Sequence, residues 1–444
     1  MEEKATHIKS KRALFIVLMI LLFLPLMQHV FNPFHQRPLN GAVTANSPAD
    51  FSLKIWLDGD YQDQTTKYLN ENFGFRNFCV RLYNQVSYSF FNEARANGVV
   101  IGKAGYLFEK PYIDAYTGKD FLGDEHISKQ VIKFAQMRDS LNSHQVNIAV
   151  VLTPGKAAFY PEYIPDHFLS DQNGKTNLES YLREFTKNQI HHIDLHSWFI
   201  KQKPTSPYRL YPKGGTHWSS YGEVLATDTI LKFIEKIEGV RIPELIIDTI
   251  ATSTSMKNRD EDIEQGMNLL FNPEDLEMAY PSIYFKKTES TVQPKVLVIA
   301  DSYYWGLVNL GVNTEVFDSG TFWYYGRQIH PERDSLPNDV QEINVQSAVE
   351  EFELVLFLLT DASLSKFPFG VIDRLYDAYV EGNPEPKPKL SYEEKMAFYI
   401  ASIKALPDWF EKVEMQANEN GISLEKALEE EAAYMVWKDE SGMH

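Results

Sequence analysis

The sequence predicts an α/β fold with a mostly parallel central sheet, preceded by a single N-terminal transmembrane helix, and three observations predict it. Short apolar runs such as VNIAVVLTP (146–154), KVLVIADSYY (295–304) and ELVLFLLTD (353–361) have the continuous hydrophobicity of strands buried on both faces. Segments of helical periodicity alternate with them, as a sheet covered on both faces requires. Ahead of all this stands ALFIVLMILLFLPLMQHVF (13–31), preceded by Lys4, Lys9, Lys11 and Arg12.

That first element is about 19 residues long, which at ~1.5 Å per residue just crosses a ~30 Å hydrocarbon core. Cations before it and no comparable cluster just after it place the N-terminus in the cytoplasm and the body outside. The nearest small-x-small pattern, around Val43 and Ala45, lies far past the apolar end. The segment therefore reads as an uncleaved signal anchor, ahead of the alternatives of a cleaved signal peptide or a buried core helix. Residues 1–32 form this N-terminus and anchor. Residues 33–96 are a Pro/Asn/Gly-rich linker followed, over 61–93, by one or two lead-in helices.

From 97 to 385 the chain reads as one α/β domain. VVIGKAGYLFE (99–109) predicts a hairpin turning at 103–105, and an amphipathic helix is expected over 128–143 before the strand at 146–154. A helix over 177–189, strand plus turn over 191–199 and a helix over 218–237 follow. About 253–292 the sequence is polar, acidic and partly aperiodic, and reads as an insertion. Strands are then expected at 295–304, TEVFDS (314–319) and 353–361. Residues 386–444 form an acidic helical tail.

The composition narrows the function. Of 444 residues, 43 are Lys or Arg and 61 Asp or Glu, a net charge of −18 that repels a phosphate backbone, so nucleic acid is not an expected partner. The single cysteine, Cys79, excludes an intramolecular disulfide framework and a thiolate metal cage. The mean hydropathy of −0.32 averages one anchor with a large polar-surfaced body.

Two residues carry the chemistry. Ser302, in VLVIADSYYWG, follows a buried strand and precedes helix-like sequence, where backbone N–H groups can stabilise an oxyanion; the same position suits a plain N-cap serine. His217, in YPKGGTHWSSYG, stands on a loop between a Gly-Gly turn and a helix, with Trp218 beside it, and suits the base that activates a serine or an ordinary loop histidine. Thr360 and Asp361 end a buried strand and are candidates for an oxyanion site or for helix capping. Gly320 offers a backbone N–H, and the aromatic run 322–325, with Trp323 and Tyr325, offers stacking surface to a sugar or to the core. HHIDLH, with His191, His192 and His196, repeats no metal-ligand spacing, and strand alternation separates its first two imidazoles, so neither a metal nor a cofactor is expected.

Together THWSSYG, VLVIADSYYWG, VVLTPGKAAFYPEYIP and GKAGYLFE resemble the signatures of the AlgX/AlgJ-like SGNH hydrolase-like domain of alginate O-acetyltransferases. The resemblance covers roughly 97–380, in four motifs in the family's order, with the histidine motif ahead of the serine motif. It implies an SGNH-like three-layer fold and a Ser302 nucleophile with His217 as base. Lys156 and Trp218 are carried over as residues of the matching motifs and as possible substrate contacts. The resemblance further implies acetylation of an exported polysaccharide through an acyl-enzyme, a location at the inner (cytoplasmic) membrane with the catalytic domain in the periplasm, and a multispanning membrane acyltransferase of the MBOAT type as partner.

One departure stands out. The family's Asp-x-His would place a carboxylate at 215, and ordinary SGNH spacing would place it at 214; this chain has Gly215 and Gly214. Three remedies stay open: a carboxylate from elsewhere, with Asp301 or Asp361 nearest in motif terms; a backbone carbonyl; or a loss of activity. The rival functions are accordingly a carbohydrate acetyl-esterase with the same residues and a catalytically attenuated polysaccharide-binding or scaffold subunit. An acidic body also means that an anionic polymer would need a locally basic groove.

Overall fold

A computed structural model describes residues 2–41, 47–170, 174–318, 320–332, 337–382, 392–405, 407–420 and 422–441. The chain divides into two compact units: Met1–Lys110 with Lys213–Thr216 and Ser255–Leu276, and Pro111–Pro212 with His217–Thr254 and Glu277–His444.

The first unit begins with a helix over Glu2–Phe31, of which Ser10–Phe31 is long and apolar enough to cross a membrane. Helices at Leu53–Asp58, Asp60–Asn72 and Arg76–Phe91 follow. Strands β1 (Val99–Ile101) and β2 (Leu107–Glu109) pair antiparallel around a turn at Lys103–Gly105, the hairpin expected from sequence. Ile101 and Leu107 bury their side chains with Ile263, Met267 and Leu269, a small apolar core of this unit.

The second unit is built on β3 (Asn147–Thr153), β4 (His191–Asp194), β5 (Glu244–Ser253), β6 (Met278–Lys286), β7 (Val296–Ala300), β8 (Thr321–Tyr324), β9 (Gln328–His330) and β10 (Leu354–Thr360). Six of them form a sheet in the order β4-β3-β10-β7-β8-β9, parallel except for the β9 edge. Every residue of β7 and β10 is buried, which is why their sequences lack alternation. One face packs on helices Asp124–Ser143, Asn177–Lys187 and Val371–Tyr379, around Phe134, Phe185, Phe357 and Phe367. The helix Asn177–Lys187 starts in a capping box of Thr176 and Glu179. Ser220–Glu238 lies against β3 and β4 as well as β5 and β6, begins at Ser219, whose Oγ accepts from Gly222 N, and ends at Gly239 in the left-handed region. This is the three-layer SGNH-like arrangement the sequence predicts.

Two elements differ from expectation. Of the segment 314–319, whose residue 319 lies outside the described residues, 314–318 are no strand: Gly311 at φ 87° turns the chain into a π-helical turn over Val312–Val316, and pairing with β7 starts only at Thr321. The segment read as strand ends where the Asp318 N–H reaches Pro294 O, so the aromatic run itself is the strand. The stretch 253–292 contains β6, paired with β5 in a two-stranded ribbon whose residues are mostly half-buried or exposed. Residues 407–420 and 424–441 are helices that pack with the helix 392–405 around Ile403, Val413 and Leu428.

Candidate functional site

The parallel register brings the ends of β3, β7, β8 and β10 to one edge of the sheet, where ligands sit in open α/β folds. Ser302 follows β7 there, two residues before the helix Tyr304–Asn309. His217 Nε2 lies 2.9 Å from Ser302 Oγ, across 85 positions of sequence. The imidazole is buried, with its ring tilted against Tyr303 at 4.8 Å; Trp218 packs edge-on to Tyr303 at 5.1 Å and stacks on Phe199. The Tyr303 hydroxyl donates to Tyr211, and Tyr211 donates in turn to Pro154 O. Burial pushes both phenols far up, so this pair stays neutral and serves as a fixed wall behind the histidine.

The turn bearing Ser302 is held by Asp301. Its Oδ2 accepts from Thr360 N at 2.7 Å and Thr360 Oγ1 at 2.8 Å, and its Oδ1 accepts from Tyr303 N at 3.1 Å. Both carboxylate oxygens are thus engaged in joining the β7 and β10 ends. Named from sequence as a possible orienting acid for His217, Asp301 is a clamp with Thr360. Asp361, the other such candidate, is buried and accepts from Ala362 N at 2.9 Å and from Gly155 N. Gly155 is required there, since a Cβ would lie 2.4 Å from Asp361 Oδ1 and 2.2 Å from Tyr112.

Burial, reinforced by the charges of Asp120 and Asp301, pushes the Asp361 carboxyl up to about 7. A carboxyl whose pKa is raised on folding binds its proton more tightly in the native state. Its stabilising contribution is present below the unfolded pKa and is lost as pH rises toward 7. Thermal melts between pH 4 and 7 should therefore decline with pH by an amount on the order of 3 kcal/mol that Asp361→Asn removes. A slope unchanged in the variant would assign the effect elsewhere.

Tyr325 follows β8 at φ 52°, and its hydroxyl is hydrogen-bonded to both the side chain and the backbone N–H of Ser302. Burial and the Asp301 charge push it up to about 12, so it remains a protonated donor beside the serine. The other sequence candidates fall elsewhere. Gly320 stands at the amino end of β8, opposite the end that adjoins Ser302, and packs on Asn313, so its N–H cannot serve an oxyanion at Ser302. Trp323 is buried in the helix-facing core, and Trp218 is buried behind the histidine, so neither indole offers a face to a sugar. Lys156 is 1% exposed at the start of the short helix after β3, an interior lysine. Sequence reasoning missed Tyr211 and the Thr360–Asp301 pairing; the adjacency of Asp301 to Ser302 was the visible signal.

In the first unit, position 215 has no space for a side chain: a Cβ on Gly215 would lie 2.6 Å from Arg259 O and 2.8 Å from Asp260 O. Both contacts are backbone atoms, so the segment must move to admit any side chain. Gly215→Asp, which restores the motif on paper, should lower stability by about 2 kcal/mol or more in denaturant unfolding. An unchanged midpoint would show that the backbone yields freely.

Beside this geometry stands a likeness to known proteins over part of the chain. Residues 99–260 match the model of the SGNH hydrolase-like domain of acetyltransferase AlgX. Over that segment the chain is similar to the AlgX SGNH hydrolase-like domain. A probable alginate O-acetylase AlgJ of Pseudomonas syringae pv. tomato is 22% identical over 193 residues, 43% of this chain and 47% of that protein, so the match spans about half the length of the curated relative. Among solved structures, the O-acetyltransferase domain of Pseudomonas putida AlgJ is 17% identical at a TM-score of 0.41, covering 63% of this chain and 99% of that one. Pseudomonas aeruginosa AlgX is 13% identical at a TM-score of 0.41, covering 62% and 67%. The segment of the AlgX/AlgJ-like domain that matches the model includes His217 and ends before Ser302.

Proposed function

We propose that this chain is a membrane-anchored, extracytoplasmic O-acetyltransferase acting on an exported polysaccharide. The observation that carries the reading is the 2.9 Å pairing of His217 Nε2 with Ser302 Oγ at the carboxyl end of the sheet. Ser302 Oγ attacks the acetyl carbonyl carbon while its proton passes to His217 Nε2. The tetrahedral intermediate collapses, and the donor's leaving group departs with that proton. A sugar hydroxyl then attacks the acetyl-serine, giving its proton to His217, and Ser302 Oγ leaves and takes that proton back. In this reading the Tyr325 hydroxyl, which neighbours Ser302, donates to the developing oxyanion.

The apolar helix at Ser10–Phe31 supports anchoring at the inner membrane with the body in the periplasm. An MBOAT-type membrane protein would then supply acetyl groups across the bilayer. The likeness to a probable alginate O-acetylase supports a glycan acceptor; a net charge of −18 favours a polymer closer to neutral, or a groove that is locally basic.

The test is a partition experiment. The full chain in detergent is given an activated acetyl ester with and without a neutral or an anionic oligosaccharide, and acetylated sugar and free acetate are both measured. Transfer exceeding hydrolysis, together with an acetyl group on Ser302 by mass spectrometry, is the expected result. Acetate alone would make the protein an esterase, and no acetyl-enzyme at all would sink the enzymatic reading in favour of a scaffold weakened by the glycine at 215.

A further inference from the structure

The first unit holds three carboxylates that the acetyl-transfer reading does not use. Glu261, Glu264 and Asp275 each offer an oxygen, and these oxygens all lie within 4.8 Å of one another. That spread fits a single hard cation, because two oxygens each ~2.4 Å from one Ca²⁺ are at most about 4.8 Å apart. Glu264 is 2% exposed, and its Oε1 is buried without a hydrogen-bond partner. A buried carboxylate oxygen left unpaired costs on the order of 1–3 kcal/mol, which is tolerated where a ligand completes it.

The floor of the cluster is a glycine. A Cβ on Gly214 would lie 2.8 Å from Glu264 Oε2 and 3.6 Å from Asp275 Oδ1, so this residue leaves the carboxylates their space. Burial and the neighbouring Asp275 and Glu261 push Glu264 up to about 8, and burial and Glu261 also raise Asp275. Lys213 opposes both shifts, but its Nζ donates to Glu274 O at 3.0 Å and it is one cation against three carboxylates.

We propose that Glu261, Glu264 and Asp275 form a binding site for a divalent hard cation, with Ca²⁺ the best fit. The donors are all carboxylate oxygens, without imidazole or thiolate, which disfavours zinc and copper. Mg²⁺ demands shorter bonds in strict octahedral geometry and retains its waters, so it fits less well. The bound ion would tie Glu261 and Glu264 to Asp275 within Ser255–Leu276, a segment already joined to Lys213–Thr216 by Glu264 N to Gly214 O at 3.0 Å and Thr216 N to Asp262 Oδ1 at 2.7 Å. With three protein carboxylates the dissociation constant should fall around 10⁻⁴–10⁻³ M, the range of extracellular calcium modules.

The experiment titrates CaCl₂ into the chelator-treated full chain in detergent, followed by calorimetry and by thermal melting. A single saturable site is expected, with the melting temperature of the chain raised by roughly 3 °C at ten times the dissociation constant. Glu264→Gln and Asp275→Asn should each bind Ca²⁺ at least tenfold more weakly while melting, without calcium, no lower than the parent, since each relieves repulsion. Should Glu264→Gln fail to fold, Asp275→Asn, which is only partly buried, decides the matter. Absence of saturable Ca²⁺ binding by the parent, or variants that retain its affinity, would overturn the proposal.

Discussion

Replacing Ser302 by alanine is expected to reduce acetyl transfer to the rate of the uncatalysed reaction within the bound complex, and His217→Ala to lower it by about 10³–10⁴-fold. The magnitude follows from the geometry. Free serine is a weak nucleophile, and here the imidazole 2.9 Å away is placed to take its proton during attack. Without that base the proton must leave to water, and the tetrahedral intermediate forms from a hydroxyl in place of an incipient alkoxide. Because the two residues act as one unit, the double variant should be scarcely slower than Ser302→Ala, well short of the product of the single effects. Burst kinetics with an activated ester read this directly: the parent shows an acetyl-enzyme burst, His217→Ala a slow rise without one, and Ser302→Ala neither. Independent, multiplying effects would mean that the 2.9 Å pair does not function together.

How far this site was legible in the sequence depended on what kind of contact each residue makes. Ser302 and His217 sit at strand and helix boundaries that hydrophobic patterning marks, so their placement at element ends was readable even though 85 positions separate them. The strands that position them were equally plain, because β7 is apolar throughout and β3 and β10 are apolar except at their ends. Roles that depend on which face of an element points where were not readable. Trp323 and Tyr325 differ by two positions in one aromatic run, yet one is buried in the helix-facing core and the other touches Ser302, because the chain leaves β8 through a left-handed residue at 325. The same limit hid the ribbon of β5 and β6, which mixes apolar and polar residues at exposed positions. It also hid the glycines at 214 and 215: the sequence presents them as missing acids, whereas in the fold they are close-packing positions against Glu264 and the Arg259–Asp260 backbone.

The Asp301 clamp leads to the second large effect. Asp301→Ala should destabilise the protein by about 3–5 kcal/mol, because it strands Thr360 N and Tyr303 N in a buried environment and leaves Thr360 Oγ1 only its 3.3 Å bond to Ser363 Oγ. Asn is a poor replacement, since its amide oxygen can face Thr360 only by turning its NH₂ toward the Tyr303 N–H, a donor against a donor. Thr360→Val removes one of the three bonds and should cost about 1–2 kcal/mol, whereas Thr360→Ser keeps it and should cost less. Stability should thus descend from Thr360→Ser through Thr360→Val and Asp301→Asn to Asp301→Ala in denaturant unfolding. Activity should fall in the same order and faster, since Ser302 lies between Asp301 and Tyr303, the two residues this clamp joins, and a displacement of about 1 Å can cost on the order of 10²-fold in rate. A series in which stability falls as described while the acetyl-enzyme burst is untouched would separate the clamp from the chemistry and leave Asp301 a purely architectural residue.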